Sequence, residues 1–242
     1  MLYLMDIQQY FSTCDTNQNS FSFTREQASA FAKDIAGDFN PLHDIETKKF
    51  CVPGDLLFSI ALAKLGVSQK MEFTFSGMVS DGITLGFNNN DAESLSVVDD
   101  KEKEYLSITR QGESSENSEL AASLAQRYVE FSGHTFPHVL VPLMEQENAM
   151  INPARPLVIY ENMSIDLLRL DFTNPRLEIT ETALDVNGKR GRATLKFCFK
   201  VGDEIVGYGE KKMALSGLRE FDAAVINAVV EDYDQRKLAY LD

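Results

Sequence analysis

Residues 53–66 read PGDLLFSIALAKLG, and this segment constrains the fold more than any other. Pro53-Gly54 is a helix-opening signal and Gly66 a helix stop. Between them only Asp55, Ser59 and Lys64 are polar. A helix that is apolar nearly all round is not laid on a surface; it is wrapped by other structure. From Met71 onward the chain supplies the wrapping. MEFTFSGMVSDGITLGF, SLSVV and EYLSITR are short β-branched or aromatic runs, broken by Ser-Gly, Asp-Gly and acidic turns. A meander of strands directly after one buried helix predicts a sheet curled around it.

Upstream, Phe21-Ser22-Phe23 reads as a strand, and Thr24 with Gln27 has the spacing of a capping box. Ala28, Phe31, Ala32 and Ile35 then share one helical face, and Gly37 ends that helix. Asp38-Phe39-Asn40-Pro41-Leu42-His43-Asp44 follows as a turn, because proline forbids helix at Asn40.

The second half repeats the plan. Glu119–Ala125 resembles Glu26–Ala32 at an offset of 93 residues, and Pro137 matches Pro41 at an offset of 96. A helix is predicted from Val139 to Met150. Strands follow in PLVIYENMSIDLLRL, RLEITETAL, RATLKFCFKV and EIVGYGEKKMAL, with a hairpin at Asn187-Gly188. Residues 221–241 read as a closing amphipathic helix. The polar stretch Gly112–Asn117 has linker composition, so the expected units are 1–112 and 113–242.

Charge narrows the function classes. Lys and Arg total 23 against 37 Asp and Glu, a formal charge of −14, which repels a DNA or RNA backbone. No stretch approaches the roughly 20 apolar residues of a membrane span. The opening MLYLM is halted at Asp6 and has no basic flank, which does not read as a secretory signal. Cys14, Cys51 and Cys198 are too few and scattered for a disulfide framework or a metal knuckle. They fit a reducing compartment, and the expected location is the cytoplasm.

The string Gly37-Asp38-Phe39-Asn40-Pro41-Leu42-His43, followed by Gly54-Asp55-Leu56-Leu57-Phe58-Ser59, resembles the MaoC-like, (R)-specific enoyl-CoA hydratase branch of the hot-dog superfamily. The resemblance covers residues 20–90; the C-terminal half is similar in layout alone. It implies an α+β double hot-dog, two curved antiparallel sheets each wrapped around a long central helix. It implies a lyase adding water to a trans-2-enoyl thioester of coenzyme A or acyl carrier protein, without metal or redox cofactor. Asp38 and His43 would be the acid–base pair, and the Gly54 amide would hold the thioester oxygen. Two such fused units form a self-sufficient monomer or pair again into a homodimer.

The residues support this chemistry on their own terms. Asp38 and His43 flank a rigid Asn-Pro turn, so both side chains can enter one cleft, and a carboxylate with an imidazole can move protons near neutral pH. Structural roles fit them equally: Asp38 capping the turn, His43 bonding a buried carbonyl. Asn40 reads as shaping the loop or binding water, and Ser59 as a hydroxyl bonded back into its helix or a substrate contact. His134 and His138 fall where a second dyad would sit, but no Asp-Asn-Pro accompanies them, and Pro137 argues against a metal pair on a helix.

The chain departs from the family pattern in two places. Only eleven residues lead from His43 to Gly54, and acidic Asp55 stands beside the expected oxyanion donor. Lys48, Lys49, Lys64 and Lys70 are the nearest cations for coenzyme A phosphates. No Walker or Rossmann glycine loop and no Gly-x-Ser-x-Gly elbow occurs. Two further readings remain: a non-catalytic module binding an acyl thioester or a protein partner, and a hot-dog thioesterase.

Overall fold

The computed structural model describes residues 5–14, 19–89 and 93–241; Met1–Leu4 of the apolar opening lie outside them. In chain order come β1 (Ser12–Thr13), β2 (Ser20–Ser22) and α1 (Arg25–Ala30), which runs on into a π-helical turn over Phe31–Ala36. A 3-10 turn (Pro41–His43) precedes α2 (Gly54–Leu65). Then come β3 (Val67–Phe75), β4 (Leu85–Asn89), β5 (Ser94–Asp99), β6 (Glu104–Ser115), α3 (Ser118–Gly133) and α4 (Leu140–Gln146). The chain continues through β7 (Ala149–Met150), β8 (Val158–Leu167), β9 (Arg176–Asn187), β10 (Arg190–Val201), β11 (Glu204–Ser216) and β12 (Arg219–Glu220) to α5 (Ala223–Leu241).

One continuous ten-stranded sheet runs through both halves, in place of the two expected. Ten strands run in the order β1-β2-β4-β5-β6-β3-β8-β11-β10-β9, each pair antiparallel, while β7 and β12 form a separate two-stranded ribbon. The halves join where β3 pairs with β8, from Lys70 opposite Asp166 to Thr74 opposite Asn162. Two separate sheets would leave a row of unpaired amides and carbonyls on each of these strands, and pairing them satisfies both.

Local signals produce the expected elements in the first half. The Thr24 side chain accepts from the Gln27 amide while the Gln27 side chain accepts from the Thr24 amide, the reciprocal capping box. In α2, Leu56, Leu57, Phe58, Ile60, Ala61 and Leu62 are all buried. Phe58 meets Phe73 of β3 edge-on at 4.9 Å between ring centroids and Tyr128 of α3 at 4.8 Å. Burying each large apolar side chain contributes roughly 1.5–3 kcal/mol, so this helix anchors the core.

The second half departs from its expected helix. Only Leu140–Gln146 is helical, because Asn148 turns into the left-handed region (φ 47°) and Ala149–Met150 leave to pair with Arg219–Glu220. Asparagine tolerates that conformation as few residues do. The long helix of this half is α3, which precedes its strands; its Tyr128 and Phe131 pack on Phe197 of β10.

One contact fixes α3 against the first half. A Cβ at Gly133 would lie 1.7 Å from the Ala36 carbonyl oxygen, so only glycine lets the end of α3 sit on the end of the π-turn. Gly133→Ala must separate two backbones and is expected to lower the unfolding free energy by about 3 kcal/mol. Urea denaturation checks this; a loss under about 1 kcal/mol would mean that the two segments are not packed so closely.

Candidate functional site

The loop after the π-turn is built by its own short hydrogen bonds. Gly37 takes the left-handed conformation (φ 64°), and the Asp38 amide donates back to the Ala32 carbonyl at 2.8 Å. Asp38 Oδ1 accepts from the Asn40 amide at 2.9 Å, and Asn40 Oδ1 from the Leu42 amide at 3.1 Å. Asn40 thus caps the turn Pro41–His43 and shapes the loop. The Cys51 amide donates to the Leu42 carbonyl at 2.9 Å, closing the segment into a rigid hoop.

His43 is buried, and its Nδ1 lies 2.7 Å from the Cys51 carbonyl oxygen. A carbonyl only accepts, so Nδ1 carries the proton and, in the neutral ring, Nε2 is left with its lone pair. That Nε2 lies 3.7 Å from Asp38 Oδ2. Each residue therefore spends one polar atom on structure and turns the other toward its partner. The structural and the chemical readings of this pair are not exclusive.

The pair opens on a cavity of about 1010 Å³. Its walls come from the Asp38–His43 loop, the start of α2, residues 75–79, the end of α3, β8 and β11, and one face of α5. Gly54 and Asp55 line it; Ser59 does not. The Ser59 hydroxyl donates to the Asp55 carbonyl at 2.8 Å and stays inside its helix. Gly54 owes its small size to packing, since a Cβ there would lie 2.9 Å from the Tyr160 ring and 3.2 Å from the Phe75 ring, which stack at 4.4 Å.

A polar cluster with no counterpart in the sequence reading sits on the cavity wall. The Ser132 hydroxyl donates to Asp55 Oδ2 and accepts from Lys211 Nζ. Lys211 Nζ also lies 4.4 Å from the centroid of the Tyr160 ring, whose hydroxyl meets that of Tyr128. Burial raises the Asp55 carboxyl above its usual range, opposed first by Lys211 and then by Ser132. Burial likewise lowers the Lys211 ammonium, opposed by Asp55 and Asp38. Asp38 and His43 both act on Asp55, so pair and cluster share one electrostatic environment.

A signal for the cluster existed. Lys211 has the parity of buried Met213 and Leu215 along β11, a charge on the apolar face of an alternating strand. Ser132 falls one turn after Tyr128 on the buried face of α3.

Helix α5 roofs the site. The Tyr233 hydroxyl accepts from the Phe39 amide at 3.2 Å and donates to the Gly37 carbonyl at 3.2 Å. Arg236 pairs with Asp44 at 2.8 Å, and the Tyr240 hydroxyl donates to Asp34 at 2.8 Å. Tyr233→Phe strips the Phe39 amide of its acceptor and is expected to cost about 1–2 kcal/mol of stability. Hydrogen exchange at that amide should speed up in step; an unchanged rate would mean that α5 does not hold the loop.

His134 Nδ1–H donates to the Glu130 carbonyl at 2.6 Å, and its ring stacks on His138 at 6.3 Å. Among the described residues no three His, Cys, Asp or Glu side chains converge as metal ligands, and the three cysteines are free. No described helix is long and apolar enough to cross a membrane.

Comparison with curated proteins gives no match. Among solved structures the chain is similar to a tesB protein of Mycobacterium avium subsp. paratuberculosis, with 8% identity and a TM-score of 0.49, over 88% of this chain and 99% of that one. It is similar to an acyl-CoA thioesterase II of Mycobacterium marinum, with 11% identity and a TM-score of 0.45, over 89% and 99%. A conserved protein of unknown function with a hot-dog fold from Alicyclobacillus acidocaldarius matches at 8% identity and a TM-score of 0.47, over 88% and 99%. The model of one protein family matches residues 5–224, nearly the whole chain, which therefore belongs to that family, described as Protein of unknown function (DUF3581).

Proposed function

We propose that this protein is a double hot-dog of units 1–112 and 113–242 that hydrates trans-2-enoyl thioesters of coenzyme A or acyl carrier protein to 3-hydroxyacyl thioesters. The observation that carries this reading is the bare Nε2 of His43 facing Asp38 Oδ2 across 3.7 Å at a large apolar cavity. That gap suits a water molecule held by both atoms. His43 Nε2 takes one proton from the water as its oxygen bonds to Cβ, and the proton is returned to Cα, so that H and OH add across the double bond. Negative charge gathers on the thioester oxygen during attack. The outward-directed first amides of α2, beginning at Gly54, lie beside the cavity and supply a positive dipole end for it.

The reaction needs no metal or redox cofactor. Free thiols and the negative net charge fit a cytoplasmic enzyme, monomeric or dimeric, with no nucleic-acid partner.

The test uses trans-2-enoyl pantetheine thioesters of several chain lengths, with enoyl absorbance and free thiol followed together. Loss of absorbance without thiol supports hydration. Thiol release overturns it in favour of a thioesterase. Binding without either change overturns it in favour of a carrier or docking module.

A further inference from the structure

The wall that α5 gives the cavity changes character along its length. Val225, Val229, Asp232, Tyr233 and Arg236 line the space, at the spacing of residues that share one helical face. The C-terminal end of this face is polar and lies against the Asp38–His43 loop: Tyr233 bonds Gly37 and Phe39 on either side of Asp38, and Arg236 pairs with Asp44. At the N-terminal end Val225 and Val229 pack on the core of the second half. Leu140, Ile151 and Met213, buried in that core, line the cavity there.

We propose that α5 selects ligands by chain length, with Val229 and Val225 as successive stops for an unbranched hydrocarbon tail leading away from the Asp38–His43 pair. The proposal rests on the thioester reading above and narrows its substrate class to thioesters of medium-length straight acyl chains. Polarity sets the direction of the tail. Methylenes laid beside Asp232 and Arg236 would strip water from charges, whereas beside the valines they leave water for apolar surface.

The helix sets the scale. Measured along α5 from the level of Tyr233, Val229 lies about 6 Å away and Val225 about 12 Å. An extended chain advances about 1.2 Å per bond, taking three backbone bonds for each residue's reach. The tail therefore meets Val229 about five bonds beyond the pair and Val225 about ten. Counted from the thioester carbonyl, an acyl chain of about twelve carbons fills that distance. A cavity of about 1010 Å³, at the upper end of the range for ligand pockets, holds such a tail together with a pantetheine arm.

The test is calorimetric titration with saturated acyl pantetheine thioesters of roughly four to sixteen carbons. In the native chain the dissociation constant should fall about fourfold per methylene until about twelve carbons, then level off. Val229→Phe fills the nearer stop and should bring the break to about seven carbons. Val225→Phe should place it between these two lengths. The position of the break is the reading, so a general loss of affinity at every length does not imitate it. Melting temperatures show whether each variant is folded, and if Val229→Phe is not, Val225→Phe decides. A break at the same length in native and folded variant chains, or a native gain that runs on to the longest thioester, overturns selection by α5 and leaves the thioester reading standing. If no thioester binds, the thioester reading fails, and 1-alkanols of increasing length test α5 alone. Their stabilisation of the native chain should then go on growing past the length at which it stops in the variants; a common stopping length overturns the proposal.

Discussion

Asp55→Ala is expected to lower the unfolding free energy by about 3–5 kcal/mol, although the residue replaced is a single small carboxylate. Its removal leaves Lys211, buried beside Ser132 and Tyr160, without its first counter-charge and with Asp38 as the weaker one that remains. The ammonium must then stay charged and unpaired or give up its proton, and either state costs several kcal/mol. Asp55→Asn/Lys211→Met should recover most of the loss, because a buried pair replaced on both sides leaves no orphan charge. The pH dependence has a definite sign. Asp55 has a raised folded pKa, so its contribution is full below the unfolded carboxylate value and is lost as pH rises through the folded one. Lys211 has a lowered folded pKa, so its contribution falls as pH drops from the unfolded lysine value through the folded one. Relative to the double variant, the native chain should therefore be least stable between these limits. Urea denaturation across that range reads both effects, and a single variant as stable as the double one would mean that Asp55 and Lys211 do not interact.

These two residues also mark the boundary of what could be read before the structure. The capping box at Thr24, the helix opening at Gly54 and the hairpin at Asn187-Gly188 were legible because each is decided by residues within a few positions of one another. The Asp38–His43 pair was legible for the same reason, lying on one hoop of loop. Asp55 was legible only as an awkward charge beside an expected oxyanion site. What explains it is Ser132, 77 residues away, and Lys211, a further 79 beyond. Neither carries a local pattern of its own; Lys211 sits beside Lys212 and reads as a solvated strand edge until its parity is counted. The pairing of β3 with β8 escaped for a related reason. Strand edges announce that they need partners but not which ones, and the family resemblance implied two sheets rather than one continuous one.

The largest functional effect is expected at His43, and the geometry supplies a variant that separates chemistry from structure. His43→Ala removes both ring nitrogens, so a loss of activity could follow merely from freeing the Cys51 carbonyl and loosening the hoop. Asparagine is the sharper choice. Its side-chain amide reaches about as far as Nδ1 and keeps a donor for that carbonyl, while nothing replaces Nε2. Asp38→Asn is its counterpart: one oxygen remains to accept from the Asn40 amide, and the position of Oδ2 loses its charge. Both variants should stay within about 1 kcal/mol of the native chain in unfolding free energy, since the hydrogen bonds that build the loop persist. Hydration of the enoyl thioester should nonetheless fall by about 10²–10⁴, the range associated with losing a positioned acid or base. The ratio of turnover to stability change decides between the roles. Activity that survives His43→Asn would make the imidazole a loop clamp and move the water-activating work elsewhere in the cavity. Activity that disappears while the amide of Asn40 stays protected from exchange would assign the proton transfer to Nε2 itself.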